Sequence, residues 1–463
     1  MRPRLRCQPQ RARSKRHLAP SSIWEVSVHL SFTQRLSCAP VAQLLSLSLS
    51  LSLPLRCPCR RHILRPGVGV RSTEARYPCV VSDSFSGPAV TRQLDNCTFC
   101  PKMCRHACPV STTSGKESWI PQVKMDRLNR LRLDQIPWNQ ETTEGLWACT
   151  GCRHCTVYCD HENEPAAVLF AGRAEAARRG ITHPTLENYP ERFAKREARL
   201  AASAEAAFGE QASAPAPLGF FPGCDALDKG TDDVAAALAV FEQLGLGTVP
   251  LIASPHNCGG YPLLAAGQTD AFRAHAAAVA ASVRGFRTIV TNCSACRYAM
   301  STLYQAEGIE NMPAVISLAE LLAQNATKLT KPATKKNIYY HDPCHLARSS
   351  GVTEEPRAVL RTLATLREFS WNRTDTECCG GGGLLPKTDP ATADAMAKRR
   401  LNEIHNQGGG VVVTSCGTCA FMLKSNAPAS VEVMDLPAAV AMLCNVPYES
   451  VVGPADDDDD DDH

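Results

Sequence analysis

One cysteine pattern occurs twice in this chain, and it limits the possible folds more than any other feature. The first copy runs from Cys224 through Cys258-Gly259-Gly260 to Cys293-Ser294-Ala295-Cys296. The second runs from Cys344 through Cys378-Cys379-Gly380 to Cys416-Gly417-Thr418-Cys419. In both, 33 residues separate the first cysteine from the next, and matched cysteines lie roughly 120 residues apart. Such a duplication must bring thiols from distant parts of the chain to common points. Nine thiols at a repeated spacing read as ligands for iron–sulfur chemistry.

Length and cysteine use support that reading. A chain of 463 residues has room for two to four domains with large cores. Disulfide scaffolds are short and secreted, whereas here 17 of 23 cysteines fall in four ligand-like groups. A reducing, cytoplasmic setting with bound metal follows. Net charge is shaped by the ends. Residues 1–73 hold 13 Arg and Lys against Glu25 alone, and Asp456 to Asp462 form an acidic tail. The remaining 36 basic and 38 acidic residues nearly cancel, which gives no reason to expect a nucleic-acid partner. No run of 18 apolar residues occurs, so membrane contact is expected to be peripheral at most, on the inner face.

Residues 1–89 are expected to be a disordered or mis-called extension. They mix Arg, Pro and Ser with a Leu-Ser alternation from Leu45 to Leu53. A CT-dinucleotide repeat translates that way, which points to a start codon set too early. A transit peptide is the alternative. Cys7, Cys38, Cys57, Cys59 and Cys79 are then accidental.

Residues 90–200 carry two close runs, Cys97-x2-Cys100-x3-Cys104-x3-Cys108-Pro109 and Cys149-x2-Cys152-x2-Cys155-x3-Cys159. The second has the ferredoxin spacing for a [4Fe-4S] cubane, and in two-cluster ferredoxins the fourth cysteine of each run crosses to the other cluster. One cluster is therefore assigned to Cys97, Cys100, Cys104 and Cys159, and the other to Cys149, Cys152, Cys155 and Cys108. Met103 stands where the third cysteine usually does, and Asp160 replaces the proline usual after the last. A pair of zinc sites is the alternative. Val123 to Leu133 has helical periodicity, with Leu128, Leu131 and Ile136 on one buried face. From 190 the chain reads as a connector, and residues 201–217, rich in Ala, Ser and Pro, as a linker.

From Leu218 the pattern becomes α/β. Strands are expected at Gly219–Phe221, Val249–Ala253 and Arg287–Thr291, and helices from an Asp232 cap to Leu244 and over Thr269–Val283. The second copy repeats this: strands at Asn337–His341, Glu368–Trp371 and Val411–Thr414, and helices at Pro356–Leu366 and Pro390–His405. The cysteines then sit past the carboxyl ends of strands, where open α/β sheets bind ligands. Each CxxC falls at a helix start, which favours thiolate and lowers its pKa. Gly380 to Gly383 matches no phosphate loop and reads as room for backbone to approach a cluster. His341, Asp342 and His345 are candidates for proton donors, with a structural role as the alternative. Cys444 reads as a buried thiol. The predicted fold is α+β: a helical dicluster ferredoxin-like domain (90–200) and two repeated α/β cysteine-rich domains (218–330 and 331–450), with an acidic tail at 451–463.

The second copy, with His341-Asp342-Pro343-Cys344-His345, resembles the cysteine-rich "CCG" domain of heterodisulfide reductases. With the ferredoxin pair in front, the order resembles the reductase D subunit, the glycolate oxidase iron–sulfur subunit, the C subunit of anaerobic glycerol-3-phosphate dehydrogenase, and lactate-utilisation proteins. The resemblance implies a noncubane [4Fe-4S] cluster on Cys344, Cys378, Cys379, Cys416 and Cys419, and cleavage of a disulfide there. In the first copy Asn257 takes the place of the first cysteine of the pair. Cys224, Cys258, Cys293 and Cys296 are left for an unidentified metal centre, a cubane or a zinc ion among the options. The expected function is an electron-transfer subunit of a flavin-linked dehydrogenase acting on glycolate, lactate or glycerol 3-phosphate. Its partner would be a flavoprotein, and its acceptor a quinone, thiol or disulfide. A catalytic disulfide reductase and a zinc-stabilised interaction module are the alternatives.

Overall fold

The computed structural model describes residues 85–209 and 216–451. The Leu-Ser run, the five upstream cysteines and the acidic tail lie outside the described residues.

The first part is helical, as its pattern requires. Pro121 opens the helix Pro121–Arg132, where a missing N–H costs nothing. Asn139 caps Gln140–Trp147 in a reciprocal arrangement with Thr142. These helices, with Pro88–Thr98 and Pro165–Arg178, enclose Val90, Leu94, Met125, Leu128, Leu131 and Leu169, all fully buried, while Ile136 packs at the edge. The expected connector is in fact a 20-residue helix, Tyr189–Phe208, which buries Phe193, Glu197 and Leu200. Its Ala-rich composition favours helix as much as loop.

Two parallel sheets follow. The first has the order β1 (Leu218–Phe221), β2 (Thr288–Thr291), β3 (Ala314–Ser317). The second contains β4 (Asn337–His341), β5 (Thr365–Glu368), β6 (Gly410–Thr414) and β7 (Val431–Asp435), ordered β5-β4-β6-β7. Their central strands contain short apolar runs such as Ile289-Val290 and Val412-Val413, as sheets covered on both faces demand. The topology displays the duplication. Phe220 pairs with Val290 and Val290 with Ile316, while Ile338 pairs with Val411 and Val412 with Val433. Leu251 makes a lone parallel bridge to Phe220 on the edge of β1, where β5 lies on the edge of β4.

Four local expectations shift. Val249–Ala253 is reduced to that bridge, because Pro250 has no N–H to add to a ladder. The strand expected at Glu368–Trp371 lies earlier, at Thr365–Glu368, and the helix before it spans Glu354–Leu363. Gly230, not Asp232, is the cap of Thr231–Gln243; Asp232 lies in the first turn, facing the helix dipole. β3 and β7 are additions to the expected set. Each leads into a helix through a capping side chain, Ser317 or Asp435. The last helix, Leu436–Cys444, buries Cys444 in a core common to both repeats, with Phe220, Val240, Val413 and Val440.

Candidate metal centres

The close cysteine runs converge in the crossed manner. Asn163 ties the first group: its side-chain amide donates to Cys97 Sγ at 3.2 Å and its backbone N–H to Cys159 Sγ at 3.4 Å. Cys100, Cys104 and Cys159 are the neighbouring thiols of Cys97. In the second group, buried Lys124 donates to the Ala148 carbonyl at 2.6 Å and lies 3.8 Å from Cys108 Sγ, with Cys149, Cys152 and Cys155 around it. Burial pushes the Cys97 thiol up to about 12 and the Cys104 thiol up to about 11. Thiols of that kind ionise only when a metal cation takes the proton's place. All 17 cysteines of the four groups are free thiols. With buried cations beside them, the donor set fits anionic iron–sulfur clusters.

The repeats form a second assembly. Cys344 abuts Cys378, Cys378 abuts Cys379, Cys379 Sγ lies 3.3 Å from Cys419 Sγ, and Cys419 adjoins Cys416. In the first repeat Cys224, Cys258, Cys296 and Cys293 form a comparable chain of neighbours. The two chains of thiols face each other. Ser294 Oγ donates to Cys416 Sγ at 3.0 Å, Thr418 hydrogen-bonds Asp225, and a side chain at Gly417 would press on Ala226. One cavity of about 340 Å³ is lined by all nine cysteines, with Tyr261, His345 and Arg196. Cys152 of the ferredoxin-type part abuts Cys378. The two assemblies are thus continuous.

Helix starts act on the thiols unevenly. Cys416 is drawn down to about 6 by a hydrogen bond from the Cys419 thiol, which outweighs burial, with help from Ser294 and backbone N–H groups. Cys293 has hydrogen bonds from the Cys296 thiol and backbone N–H, yet it is raised, because burial and the facing Cys416 oppose them. The expected lowering at both CxxC pairs holds only at Cys416.

The three polar residues around Cys344 separate in role. Asp342 is a structural anchor: its carboxylate is paired with fully buried Arg357 and accepts from the Arg373 N–H. His341 is buried, accepts from Arg400 through Nδ1, and sits with Cys379 and Cys419 in a group compact enough to hold a metal. Burial and Arg400 hold it down at about 3, hence neutral. His345 lines the cavity, packed between Tyr261 and Tyr298, and its Nε2 has no hydrogen-bond partner. Asn257 donates its amide to the carbonyls of Glu197 and Ala253, so it is a brace for the loop. The glycine run does allow close approach, but to backbone: side chains at Gly382 and Gly383 would collide with the carbonyls of Thr150 and Cys149.

Sequence reasoning missed the buried cations. Lys124, Arg173, Arg348 and Arg400 are all buried. Arg348 donates to the carbonyls of Cys152, Thr374 and Thr376, joining the ferredoxin-type part to the second repeat. No usable signal marks them, since Lys and Arg sit on surfaces far more often than beside buried thiols.

Comparisons with known proteins agree with this architecture. Residues 93–163 match the family described as "4Fe-4S dicluster domain", and residues 218–301 and 338–424 each match "Cysteine-rich domain". The chain is 27% identical over 345 residues to the B subunit of fumarate reductase (CoM/CoB) from Methanothermobacter marburgensis, covering 73% of this chain and 68% of that one. It is 24% identical over 399 residues to the D subunit of dihydromethanophenazine:CoB–CoM heterodisulfide reductase from Methanosarcina acetivorans, covering 77% and 95%. Over 256 residues it is 28% identical to the C subunit of anaerobic glycerol-3-phosphate dehydrogenase from Escherichia coli, covering 52% and 61%. Among the described residues, no helix is long and apolar enough to cross a membrane.

Proposed function

From a chain that belongs with the iron–sulfur proteins joining a 4Fe-4S dicluster domain to two cysteine-rich domains, we propose an electron-transfer subunit of a flavin-linked dehydrogenase. It delivers electrons to a small acceptor held between the two repeats. Related chains are subunits of redox complexes by name, which supports a partner. A flavoprotein oxidising a hydroxy acid or polyol fits a chain without a flavin fingerprint of its own. The observation that carries the proposal is the cavity lined by thiols of both repeats.

Two cubanes would be held by Cys97, Cys100, Cys104 and Cys159 and by Cys108, Cys149, Cys152 and Cys155. Cys344, Cys378, Cys379, Cys416 and Cys419 would hold a noncubane [4Fe-4S] cluster, and Cys224, Cys258, Cys293 and Cys296 a further metal centre. Bound clusters supply one-electron storage and transfer. The chain's own residues supply the rest. Lys124 and Arg348 offset negative charge near Cys152, at the junction with Cys378. The acceptor takes two electrons and two protons: a disulfide leaves as two thiols, a quinone as a quinol. Negative charge building on the acceptor would draw a proton, and His345, which lines the cavity with an Nε2 that has no hydrogen-bond partner, is placed to pass it.

The test is turnover by the chain reconstituted without oxygen, supplied with a chemical reductant and either a small disulfide or a soluble quinone. Cys379→Ser should abolish turnover and the resonance signal of the second repeat while leaving the ferredoxin-type signals intact. Equal loss of every signal would contradict separate sites. No turnover with either acceptor, by a chain that still passes electrons to a partner, would reduce it to a relay. His345→Gln should keep its iron and slow turnover about 10²-fold; an unchanged rate would remove His345 from proton delivery.

A further inference from the structure

Beside Cys258 of the first repeat, Glu197 meets two histidines. Glu197 comes from the helix Tyr189–Phe208, His256 from the loop before Cys258, and His275 from the helix Thr269–Ser282. Glu197 Oε1 accepts from the backbone N–H groups of Asn257 at 3.1 Å and Cys258 at 3.2 Å. Its Oε2 is left to face His275 Nδ1 at 3.3 Å and His256 Nδ1 at 3.6 Å. His275 Nε2 lies 2.8 Å from the Cys258 carbonyl. A carbonyl can only accept, so Nε2 carries a proton, which leaves Nδ1 as the ring nitrogen that faces the carboxylate and could ligate. His256 Nδ1 is buried and has no hydrogen-bond partner. Three possible ligand atoms therefore converge, all within 4.8 Å of one another.

We infer that Glu197, His256 and His275 bind a divalent d-block cation, zinc foremost, at a site separate from the cysteine centres. A buried ring nitrogen left without a partner is costly, and a metal between His256 Nδ1 and the Glu197 carboxylate would satisfy it. The spacing suits the metal. Zinc bonds to nitrogen and oxygen of about 2.0–2.2 Å in a tetrahedron put neighbouring donors about 3.3–3.6 Å apart, and the two separations from Oε2 are 3.3 and 3.6 Å. Imidazole and carboxylate suit zinc over the softer cations. The His256 side chain is 22% exposed, which leaves a side for a water as fourth ligand. The His275 Nε2–H bond to a backbone carbonyl is the outer partner that fixes the tautomer of a metal-binding histidine. The site also has a structural consequence. It fastens the Asn257–Cys258 loop to the helix Tyr189–Phe208 at the point where the first repeat lacks one cysteine of the pair.

The test uses the full chain, first reconstituted without oxygen with iron and sulfide so that the thiols are taken, then given zinc(II) and dialysed. About one equivalent of zinc should remain, and X-ray absorption should show only nitrogen and oxygen at about 2.0–2.1 Å, without sulfur at about 2.3 Å. His256→Ala, at a partly exposed ring, should lose that zinc with iron content unchanged. Glu197→Gln keeps an amide oxygen for the loop N–H groups and removes the anionic ligand, so it should bind zinc at least tenfold more weakly. Zinc retained by both variants, zinc at sulfur distance, or no zinc at all would overturn the site. None of these outcomes depends on electron transfer, so the zinc site and the redox proposal can fail independently.

Discussion

Replacing Arg173 by leucine should detach the cysteine-rich repeats from the ferredoxin-type part, at a cost of about 3–5 kcal/mol. Arg173 is fully buried and spends all five of its N–H groups on backbone carbonyls. Nε donates to Leu146 at 2.9 Å, Nη1 to Ala265 at 2.7 Å and Gly383 at 2.9 Å, and Nη2 to Trp147 at 3.3 Å and Cys149 at 2.7 Å. Those carbonyls belong to the end of the helix Gln140–Trp147 and the Cys149 loop after it, to the first repeat and to the glycine run of the second. One guanidinium thus satisfies acceptors from three parts of the chain. Each buried carbonyl left alone costs about 1–3 kcal/mol. Relief from burying a bare charge, and entry of water, return part of that sum. What remains is a large share of the whole stability of a domain, about 5–15 kcal/mol. Burial draws Arg173 down to about 10, which still leaves it charged at neutral pH. Arg173→Lys keeps the charge but has fewer donors in a different geometry, so it should lie between wild type and leucine. Anaerobic urea unfolding with iron analysis measures both. A leucine variant with the wild-type midpoint would make the guanidinium dispensable.

The same residue shows what can be read from the sequence and what cannot. Cysteine spacing is a covalent fact, so the four groups, the crossing of Cys108 and Cys159 toward opposite runs, and the duplication are all visible before any fold is known. Strands ending at a cysteine are visible too, because Phe220-Phe221 and Val411 to Val413 are apolar runs of strand length. β3 and β7 escape notice because they precede no cysteine and alternate in burial at the sheet edge, as in Val431-Glu432-Val433. At Val249–Ala253 the apolar run misleads, and Pro250 is the residue that argues against a strand there. The facing of the two repeats cannot be read at all. It depends on contacts between residues more than a hundred positions apart, such as Ser294 with Cys416, and nothing local encodes them. Arg173 and Arg348 are similarly hidden, since their partners are carbonyls, which every residue carries.

The ion pair beneath Cys344 should behave as a unit: Asp342→Ala and Arg357→Met should each cost about 3–5 kcal/mol, and the double variant well under their sum. Arg357 is fully buried and meets Asp342 through two bonds of 2.7 Å, and Glu368 through bonds of 2.8 and 2.9 Å. Removing Asp342 leaves the cation with only the partly exposed Glu368 as a counter-charge. Removing Arg357 strands a carboxylate. Removing both takes away the uncompensated charge, so a coupling of about 2–3 kcal/mol is expected. The effect should reach the metal centre, because the network joins two ligand loops. Arg373 N–H donates to Asp342 Oδ2 at 2.8 Å, and Thr376 Oγ1 donates to the Asp342 carbonyl at 3.0 Å. Asp342 lies just ahead of Cys344, and Thr376 just ahead of Cys378. Without the anchor, two of the five thiols in the second repeat lose their fixed separation. Iron in that repeat should fall while the ferredoxin-type signals persist, since Asn163 and Lys124 hold those cysteines independently. Additive costs in the cycle would mean that Asp342 and Arg357 act through different neighbours. Full iron in Asp342→Ala would show that the thiols keep their places without this pair.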